Sequence, residues 1–582
     1  MKKTTCLMFI LIITAATALT ADFSLEDIYK TPMDFENALR FDGIEKQVAE
    51  YSGRLQDPAV LKKTATLFEK SNAELEKLYA YSYLSHADNT LDGRANERLN
   101  TVRAAAEYVD HTLMPLRTEL AAIKGIELPD NSALRELAPS LRFPQEIASI
   151  VLNADFNAKT ITRPDGTQTN ATYSELARAL TSTNRNYRKA VYEAYYSTLK
   201  THRNTLSAAM NAHINGRLRQ ARLHDPRSTH EYQIFNGRYQ MPPLTGDILI
   251  KTVYNTLGIY HRGGELQAAR LGVERYAPYD SEPASGSEEG RYSYDEAREL
   301  VLSALEPLGK EYISIARRIL YSDHINVYPK EGKQSGAFCV SVGDGIDPYI
   351  HINFDGSLNS VSTLAHELGH AVHFTLSAGQ EPRYREPALT TTETAAITNE
   401  ILLAKYMLSE AGDFEELNCA SSSYADLISS TFYNQTRLFA FERAIYNHAQ
   451  NGGTLTADKA DELWSAISEP FRSGYVEIPD DARGSWSAVP HLYRDFYVAN
   501  YAFSVAAAET LAKKILNGRA EEYINFLSQG SSKPAYNIFF DIGVDFLDKK
   551  AYNDVVKQYD ELYDIMGRIM ETTQEKREIN AA

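Results

Sequence analysis

Apolar residues recur at three- and four-residue spacing along most of the chain, which is the pattern of helices with one buried face. The segments LEKLYAYSYLSHAD (75–88) and YRKAVYEAYYSTLKTHRNTLSAAMNAHINGRLRQARL (187–223) show this spacing. The pattern predicts almost continuous helices from about residue 23 to 225, and helices again from residue 360 to the end. We therefore predict a mostly α fold.

Three segments interrupt the helical pattern. AKTITRPDGTQTNATY (158–173) alternates around Pro-Asp-Gly, which predicts a β-hairpin. INVYPKEGKQSGAFCVSVGDGIDPYIHINFDGSLNS (325–360) is rich in glycine and in alternating apolar residues, which predicts a few short strands. YAPYDSEPASGSEEGRYSYDEA (276–297) is rich in Pro, Gly and Ser, which predicts a loop.

The N-terminus has the layout of a secretory signal peptide. Two lysines precede an apolar run of roughly a dozen residues, and small residues follow, so we expect cleavage after Ala18 or Ala21. The run is short for a membrane span, which favours an exported protein, periplasmic or secreted, over an uncleaved anchor. Only Cys339 and Cys419 remain after the leader, so we expect no disulfide framework.

Composition and charge exclude some functional classes. The chain has 582 residues, 43% of them hydrophobic and 24% charged, which is typical of a globular protein with more than one lobe. A net charge of −17 would repel nucleic-acid phosphates, so we expect no nucleic-acid partner. No run beyond the leader approaches the length of a membrane span.

The segment STLAHELGHAVHFTLSAG (362–379) carries His366, Glu367 and His370 with the spacing His-Glu-x-x-His. Residues four apart share one helix face, so both imidazoles can reach one metal ion. Glu367 follows His366 by about 100° of rotation, which places its carboxylate where it can take a proton from the attacking water. Five residues can match by chance, but burying this trio without a metal would be costly, which favours a metal site.

The helix that carries this motif has predicted ends. Asn359 or Ser360 is the expected N-cap, and Gly379 is expected just past the last residue. The next helix is predicted in TTTETAAITNEILLAKYMLSEAG (390–412), with Glu393 near its start.

A catalytic zinc site has three protein ligands, so a third ligand is required. The zinc peptidases with a third histidine are excluded, because His373 occupies the position of their intervening glycine and no histidine follows at the needed spacing. We expect His373 to pack, or to support a metal ligand from behind, rather than to bind metal itself. The other class takes a glutamate from a second helix, and the downstream candidates are Glu381, Glu386, Glu393 and Glu400.

These four glutamates differ in their surroundings. Glu381 and Glu386 lie in a Pro-containing connection. Glu393 has small neighbours, which allow two helices to approach closely. Glu400 lies seven residues further on the same helix face, where it could orient a ligand histidine.

The run SGAFCVSVGDGIDPYIHINFDGSLNSVSTLAHELGHAVH (335–373), followed by TETAAITNEILL (392–403), resembles the oligoendopeptidase F family of zinc metallopeptidases, relatives of thimet oligopeptidase. ERYAPYDSEP (274–283) and residues 115–200 also resemble family segments, so the resemblance covers most of the mature chain. The combination of motifs is specific, whereas His-Glu-x-x-His alone is not. The resemblance implies a two-lobed helical metallopeptidase with a deep substrate channel and a small β-element beside the zinc helix.

The predicted organisation has three parts: a signal peptide at 1–21, an N-terminal helical domain with a β-hairpin at 22–205, and a catalytic zinc peptidase domain at 206–582. By the resemblance, Glu393 is the glutamate ligand, so that one Zn²⁺ per chain is held together with His366 and His370.

The resemblance also implies residues that contact the substrate. Four residues, together with the strand that follows them, match the edge that lines the substrate cleft in the family. These residues are Ser335, Gly336, Ala337 and Phe338. In VPHLYRDFYVANYAFSVAAA (489–508), His491 matches the family histidine. Tyr501 best matches the tyrosine that donates a hydrogen bond to the transition-state oxyanion, with Tyr497 as the second candidate. Ala499 stands where many relatives have another tyrosine, so the choice between the two stays open, and an aromatic stripe that only packs is the alternative.

These observations predict a zinc-dependent endopeptidase that hydrolyses short oligopeptides. Glu367 would deprotonate the attacking water and pass the proton to the leaving amine, while His491 and a tyrosine stabilise the tetrahedral intermediate. The restriction to oligopeptides follows from the resemblance. A dipeptidyl carboxypeptidase of the same superfamily and a non-catalytic peptide-binding protein are the alternatives, and the second is disfavoured because binding alone needs no general base.

Overall fold

The computed structural model describes residues 24–124, 131–225, 228–280, 291–343 and 345–581. The predicted signal peptide at 1–21 lies outside the described residues, as does the middle of the loop predicted at 276–297. Within the described ranges, no helix combines the length and the apolar character that crossing a membrane requires.

α-Helices make up most of the described chain, which confirms the predicted mostly α fold. Before the His-Glu-x-x-His motif they are α1 (Pro32–Ala38), α2 (Ile44–Tyr51), α3 (Pro58–Asp88), α4 (Gly93–Ile123), α5 (Asn131–Asn153), α6 (Tyr173–Leu180), α7 (Arg185–Thr201), α8 (Arg203–His224), α9 (His230–Gln233), α10 (Leu244–Asn255), α11 (Leu257–Leu271), α12 (Tyr294–Leu305) and α13 (Gly309–Leu320). From the motif onward they are α14 (Leu358–Ser377), α15 (Leu389–Glu410), α16 (Phe414–Ile428), α17 (Gln435–Gln450), α18 (Ala457–Ser468), α19 (Val498–Leu516), α20 (Ala520–Leu527), α21 (Ala535–Asp541) and α22 (Asn553–Ala581). Shorter 3₁₀ turns connect several of them, among them Pro490–Tyr493 shortly before α19.

A β-hairpin interrupts the N-terminal helices at the predicted place. Its strands β1 (Thr160–Thr162) and β2 (Gln168–Asn170) pair antiparallel. The backbone N–H of Arg163 donates to the carbonyl of Thr167 at 2.8 Å, and Gly166 in the turn takes φ +86°, which glycine adopts without steric cost. The hairpin prediction is confirmed.

A three-stranded sheet lies directly before α14, as the short-strand pattern predicts. Its strands are β3 (Ile325–Asn326), β4 (Phe338–Val340) and β5 (Tyr349–His351), in the order β3-β5-β4. β5 is the central strand, parallel to β3 and antiparallel to β4. β4 therefore forms one edge of the sheet. In the described part of the chain no strand pairs with the outer side of β4.

The helices pack as two lobes. Helices α1–α4 form the N-terminal lobe around two small apolar clusters. One of these clusters includes Val342 and Tyr349, so this lobe packs against the three-stranded sheet. A large apolar core with residues from Ala148 to Tyr563 forms the main body.

The boundary between the predicted domains 22–205 and 206–582 stays a prediction. Leu176 of α6 and Val191 of α7 precede the boundary but belong to the main core. Apolar packing therefore continues across residue 205.

The start of α14 differs from the prediction. Ser357 is the N-cap, rather than Asn359 or Ser360, because its side chain accepts a hydrogen bond from the backbone N–H of Ser360. Asp355 accepts a hydrogen bond from the backbone N–H of Ser357 at 2.9 Å and fixes the turn before the helix. The prediction was wrong because the polar first turn of the helix resembles a cap in sequence. Gly379 follows the end of the helix, as predicted.

Candidate metal centre

Helices α14 and α15 pack closely at the glycine of the motif. A Cβ at Gly369 would lie 2.7 Å from Cα of Ala396 and 2.8 Å from the carbonyl oxygen of Ala395, distances that Cβ contacts essentially never show. Only glycine therefore allows this approach. Glu393 lies in the second turn of α15, which begins at Leu389, and the close approach brings its side chain to the motif.

A buried asparagine links these helices in a fixed register. The Asn399 side-chain amide donates to the carbonyl of Ala365 at 3.0 Å, and its oxygen accepts from the Tyr312 hydroxyl at 2.8 Å. The three residues come from three different helices. No local sequence pattern identifies Asn399, because its partners are distant along the chain.

His366, His370 and Glu393 converge at one point. Their candidate ligand atoms all lie within 4.8 Å of one another. The two imidazole centroids are 4.8 Å apart with an interplanar angle of 86°, and Nε2 of His366 lies 3.8 Å from Oε2 of Glu393. Two imidazoles and one carboxylate form a known donor set of catalytic zinc sites. The structure thus brings together the three residues predicted as metal ligands.

The carboxylates at this point are buried without full hydrogen bonding. Within the described ranges, Oε2 of Glu367 and Oε2 of Glu393 have no hydrogen-bond partner. Both residues are only 5% exposed, and burial raises the pKa of Glu393 and raises that of Glu367 to about 7. A divalent cation would offset the cost of burying this negative charge. The residues present therefore fit a metal ion.

Glu400 lies behind His366. Its carboxylate pairs with Nδ1 of His366, which leaves Nε2 on the side of Glu393. The Ser362 hydroxyl donates to the other oxygen of Glu400 at 3.4 Å. Burial alone would lower the pKa of His366. The neighbouring carboxylates, above all that of Glu400, outweigh this effect and raise the pKa to about 10. A carboxylate in this position orients a ligand histidine.

His373 lies apart from the three converging residues. It is 1% exposed, its ring centroid lies 6.3 Å from that of Phe526, and burial lowers its pKa to about 3. The structure therefore places His373 in the packing, as expected.

Three aromatic residues near the C-terminus approach the same point. The Tyr497 hydroxyl donates a hydrogen bond to Oε1 of Glu393 at 3.0 Å, and the Tyr501 hydroxyl lies 3.4 Å from the Tyr497 hydroxyl. The His491 ring stacks on Tyr497 with centroids 5.5 Å apart. All three side chains are half-buried. Tyr497 is in direct contact with Glu393, and Tyr501 lies one side chain further away.

The turn between His491 and Tyr497 was not predicted. Asp495 and Phe496 take φ of +53° and +60°, the left-handed region that non-glycine residues seldom adopt. The buried Asp495 carboxylate contacts four side chains, which with Asp495 we call the Asp495 network: Arg217 Nε at 3.1 Å, Tyr446 hydroxyl at 3.2 Å, His230 Nε2 at 3.3 Å and His213 Nε2 at 3.5 Å. These residues are far apart in sequence, so no local pattern could identify the network.

The predicted cleft edge leads into β4. Ser335 and Gly336 are exposed, while Ala337 and Phe338 are half-buried. The Phe338 ring stacks on His351 with centroids 4.6 Å apart and lies 5.0 Å from the Tyr83 ring of α3. β4 packs against α14, so the edge runs between the N-terminal lobe and the motif helix.

The motif and its partners have counterparts in known proteins. A family model described as Peptidase family M3 matches residues 179–557, more than half of the chain. This chain belongs to peptidase family M3. As an M3 peptidase it is a metallo-endopeptidase, an enzyme that hydrolyses peptide bonds. The match spans the whole stretch from His366 to Tyr501.

Curated relatives of this M3 peptidase align along much of its length. Oligopeptidase PepF of Bacillus subtilis (strain 168) is 27% identical over 585 residues, covering 94% of this chain and 87% of that protein. An oligoendopeptidase F homolog of Borreliella burgdorferi is 29% identical over 430 residues, covering 72% of this chain and 71% of that protein. The resemblance to the oligoendopeptidase F family is confirmed.

Solved structures share the M3 peptidase fold. A peptidase from Chlamydophila abortus superposes with a TM-score of 0.77 at 23% identity, covering 94% of this chain and 98% of that one. Oligoendopeptidase-F from Enterococcus faecium gives a TM-score of 0.71 at 21% identity, covering 92% and 98%. The two-lobed helical fold is therefore shared with these proteins.

Proposed function

We propose that this M3 peptidase is a zinc-dependent endopeptidase that cleaves short oligopeptides. The observation that carries the proposal is the convergence of His366, His370 and Glu393 beside Glu367, whose second carboxylate oxygen is free of protein partners among the described residues. The names oligopeptidase and oligoendopeptidase of the curated relatives support the choice of short peptides.

His366, His370 and Glu393 would hold one zinc ion, with Glu400 orienting His366 from behind. Zinc bound at this place would supply a Lewis acid for the peptide carbonyl and for the attacking water. This donor set, with one carboxylate and two imidazoles, matches the zinc preference for nitrogen and oxygen ligands.

Glu367 would act as general base and then as general acid. Burial raises the pKa of its carboxyl group to about 7. Near neutral pH the group can therefore take both the deprotonated form that the first step requires and the protonated form that the second step requires. It would accept a proton from the attacking water and deliver that proton to the leaving amine.

His491, Tyr497 and Tyr501 would stabilise the oxyanion that develops on the substrate carbonyl. Tyrosine hydroxyls and a histidine N–H are hydrogen-bond donors, and donors that face the developing charge lower the barrier. Tyr497 also donates to Glu393, so we assign it a second role in holding that side chain.

The substrate would pair with the open side of β4 as an added strand. The edge residues Ser335, Gly336, Ala337 and Phe338 lead into this strand, and exposed strand edges bind extended peptides through their backbone. A channel between the N-terminal lobe and the main body would admit an unfolded segment and restrict the enzyme to short peptides.

A peptide digest with zinc analysis tests the proposal. We expect about one zinc per chain and internal cleavage of peptides, without cleavage of folded proteins. Glu367→Gln should keep its zinc and lose at least ~10²-fold in turnover. Glu175→Gln, a change of a buried glutamate paired with Arg163 and outside the site, is the matched control and should leave turnover unchanged.

Other outcomes identify the alternatives. Release of dipeptides from C-termini alone indicates a dipeptidyl carboxypeptidase. Retention of zinc and peptide binding without any cleavage indicates a non-catalytic peptide-binding protein.

We further propose that the protein is exported, to the periplasm or beyond, on the basis of the signal-like segment 1–21. N-terminal sequencing of protein isolated from the native host should begin near Leu19 or Asp22. A mature chain that begins at Met1 would contradict cleavage.

A further inference from the structure

Arg494 lies on the turn between His491 and Tyr497 and is exposed. Its guanidinium carbon lies 5.4 Å from the centroid of the Tyr497 ring. The hydroxyl of the same ring donates to Glu393. A positive charge is thus held one side chain away from the residues that would bind the metal.

Arg494 has no carboxylate partner among the residues that the structure describes. In contrast, Arg217 and Arg443 each pair with a carboxylate, at 3.1 and 2.9 Å. The planar guanidinium of Arg494 therefore keeps its hydrogen-bond donors available on the exposed side. Such a group matches a carboxylate, which it can bind through two parallel hydrogen bonds.

The backbone fixes where Arg494 points. The next residue, Asp495, is 3% exposed, takes φ +53° and directs its side chain into the Asp495 network. Its carbonyl oxygen also accepts a hydrogen bond from Tyr239 at 2.7 Å. Because Asp495 is anchored on the inner side of the turn, its neighbour Arg494 is held on the outer side, over Tyr497.

The charge of Arg494 also affects His491. Burial, and after it the positive charge of Arg494, lower the pKa of His491 below its usual value. Arg494 lies over Tyr497, and the hydroxyl of Tyr497 donates to Glu393, so a substrate group that meets Arg494 lies within one side chain of the candidate metal site.

We propose that Arg494 binds a carboxylate of the peptide substrate and makes the enzyme favour peptides that carry a negative charge near the cleaved bond. The carboxylate comes from an aspartate or glutamate side chain or from the C-terminus of a short peptide. This inference rests on the function proposed above.

Matched internally quenched peptides test the proposal. One series carries Glu, Gln or Lys at each of the positions flanking the cleaved bond, and a second series ends in a free carboxylate or an amide. With Arg494→Gln we expect kcat/KM for the preferred Glu or free-carboxylate peptide to fall about tenfold, since a hydrogen bond to a charged group contributes that much. For the matched neutral peptide, kcat/KM should change by less than about twofold, which is the usual range for a surface substitution.

Charge reversal and a remote control sharpen the test. Arg494→Glu should reverse the preference toward the Lys peptide, and Arg494→Lys should restore part of the preference for Glu. Arg317→Gln, which alters an exposed arginine paired with Glu299, is the control and should leave all ratios unchanged. The series that responds identifies whether the carboxylate belongs to a side chain or to the C-terminus.

Two results would overturn the inference. Equal effects of Arg494→Gln on charged and neutral peptides, or no effect at all, exclude carboxylate binding while leaving the proposed endopeptidase in place. If the zinc-loaded wild-type enzyme cleaves none of the peptides, the proposed function itself fails, and the inference fails with it.

Discussion

Glu393 and Glu400 contact the same imidazole from opposite sides. Glu393 lies on the side of Nε2 of His366, at 3.8 Å, whereas Glu400 pairs with Nδ1. A residue on the inner side can bind the metal directly, whereas a residue on the outer side acts by orienting the ligand.

Alanine substitutions should separate these two roles. We expect Glu393→Ala to lose its zinc on dialysis against a weak chelator. Glu400→Ala should retain zinc with an affinity lower by about 10–100-fold, the range for partners of metal ligands. Competitive zinc titration measures both. Zinc retention in Glu393→Ala together with zinc loss in Glu400→Ala would reverse the assignment.

The two tyrosines of the site should respond differently to removal of the hydroxyl. We expect Tyr501→Phe to lose turnover on the order of 10²-fold with KM and zinc content near wild type, because an oxyanion donor acts in the transition state. Tyr497→Phe should in addition weaken zinc binding, because its hydroxyl donates to Glu393. Steady-state kinetics on one short peptide, with zinc analysis of each variant, makes the comparison. Wild-type activity in both variants would assign both rings to packing.

At the level of elements, the contact between helices α14 and α15 depends on Gly369, which has no side chain. We expect Gly369→Ala to destabilise the protein by about 1–3 kcal/mol, the cost of overpacking, and to weaken zinc binding by displacing Glu393. Gly567→Ala in α22 is the control, since its added Cβ would meet nothing within 4 Å. Urea unfolding and zinc titration of both variants check this. A Gly369→Ala protein with unchanged zinc affinity would show that α15 adjusts.

The turn before α19 should depend on the charge of Asp495. Asparagine keeps the shape and tolerates the left-handed backbone, so Asp495→Asn removes the charge alone. We expect turnover to fall by on the order of tenfold or more with zinc retained, because His491 and Tyr497 shift. Asp280→Asn, at a buried aspartate paired with Arg188, should cost stability without lowering turnover. Equal turnover in the two variants would contradict a positioning role.

The same residue should make stability sensitive to acid. Burial alone would raise the pKa of Asp495, but its contacts with His213, His230 and Arg217 hold it well below its usual value. A lowered pKa in the folded state means that this stabilisation is present above about pH 4, the unfolded pKa, and is lost as the pH falls below it. Urea unfolding at neutral and at acid pH should show a smaller acid loss in Asp495→Asn than in the wild type.

At the level of the whole molecule, the fold should survive without metal. The core of the main body contains residues from Ala148 to Tyr563, far more apolar surface than a metal-dependent domain buries. We expect a chelator to abolish peptide cleavage while leaving the far-UV CD spectrum largely intact. Added zinc should restore activity. Full activity in metal-free protein would exclude the proposed mechanism.

Sequence patterns predicted the local features of the fold but not the contacts between distant segments. The hairpin at 158–173 and the short strands at 325–360 were predicted, because alternation and turn residues act over a few positions. The motif spacing placed His366 and His370 on one face in the same way. The N-cap Ser357 was missed because several polar residues compete for that position.

Contacts between distant segments could not be predicted from spacing. Tyr497 reaches Glu393 across 104 positions, and His230 reaches Asp495 across 265. Such pairs depend on how whole helices pack, which no local pattern encodes. The close approach at Gly369 belongs to the same class, because it is visible only once both helices are in place.

The shortness of β4 has a consequence for how long a peptide would stay bound to it in the proposed arrangement. The strand has three residues, so an added strand can form only a few main-chain hydrogen bonds, each of about 1 kcal/mol net. After cleavage, these bonds would be divided between two fragments, and each fragment would be held more weakly than the parent chain. A longer edge would bind substrates more tightly but would also retain the fragments. Under the proposed pairing of substrates with β4, the three-residue edge would therefore favour rapid product dissociation and repeated turnover.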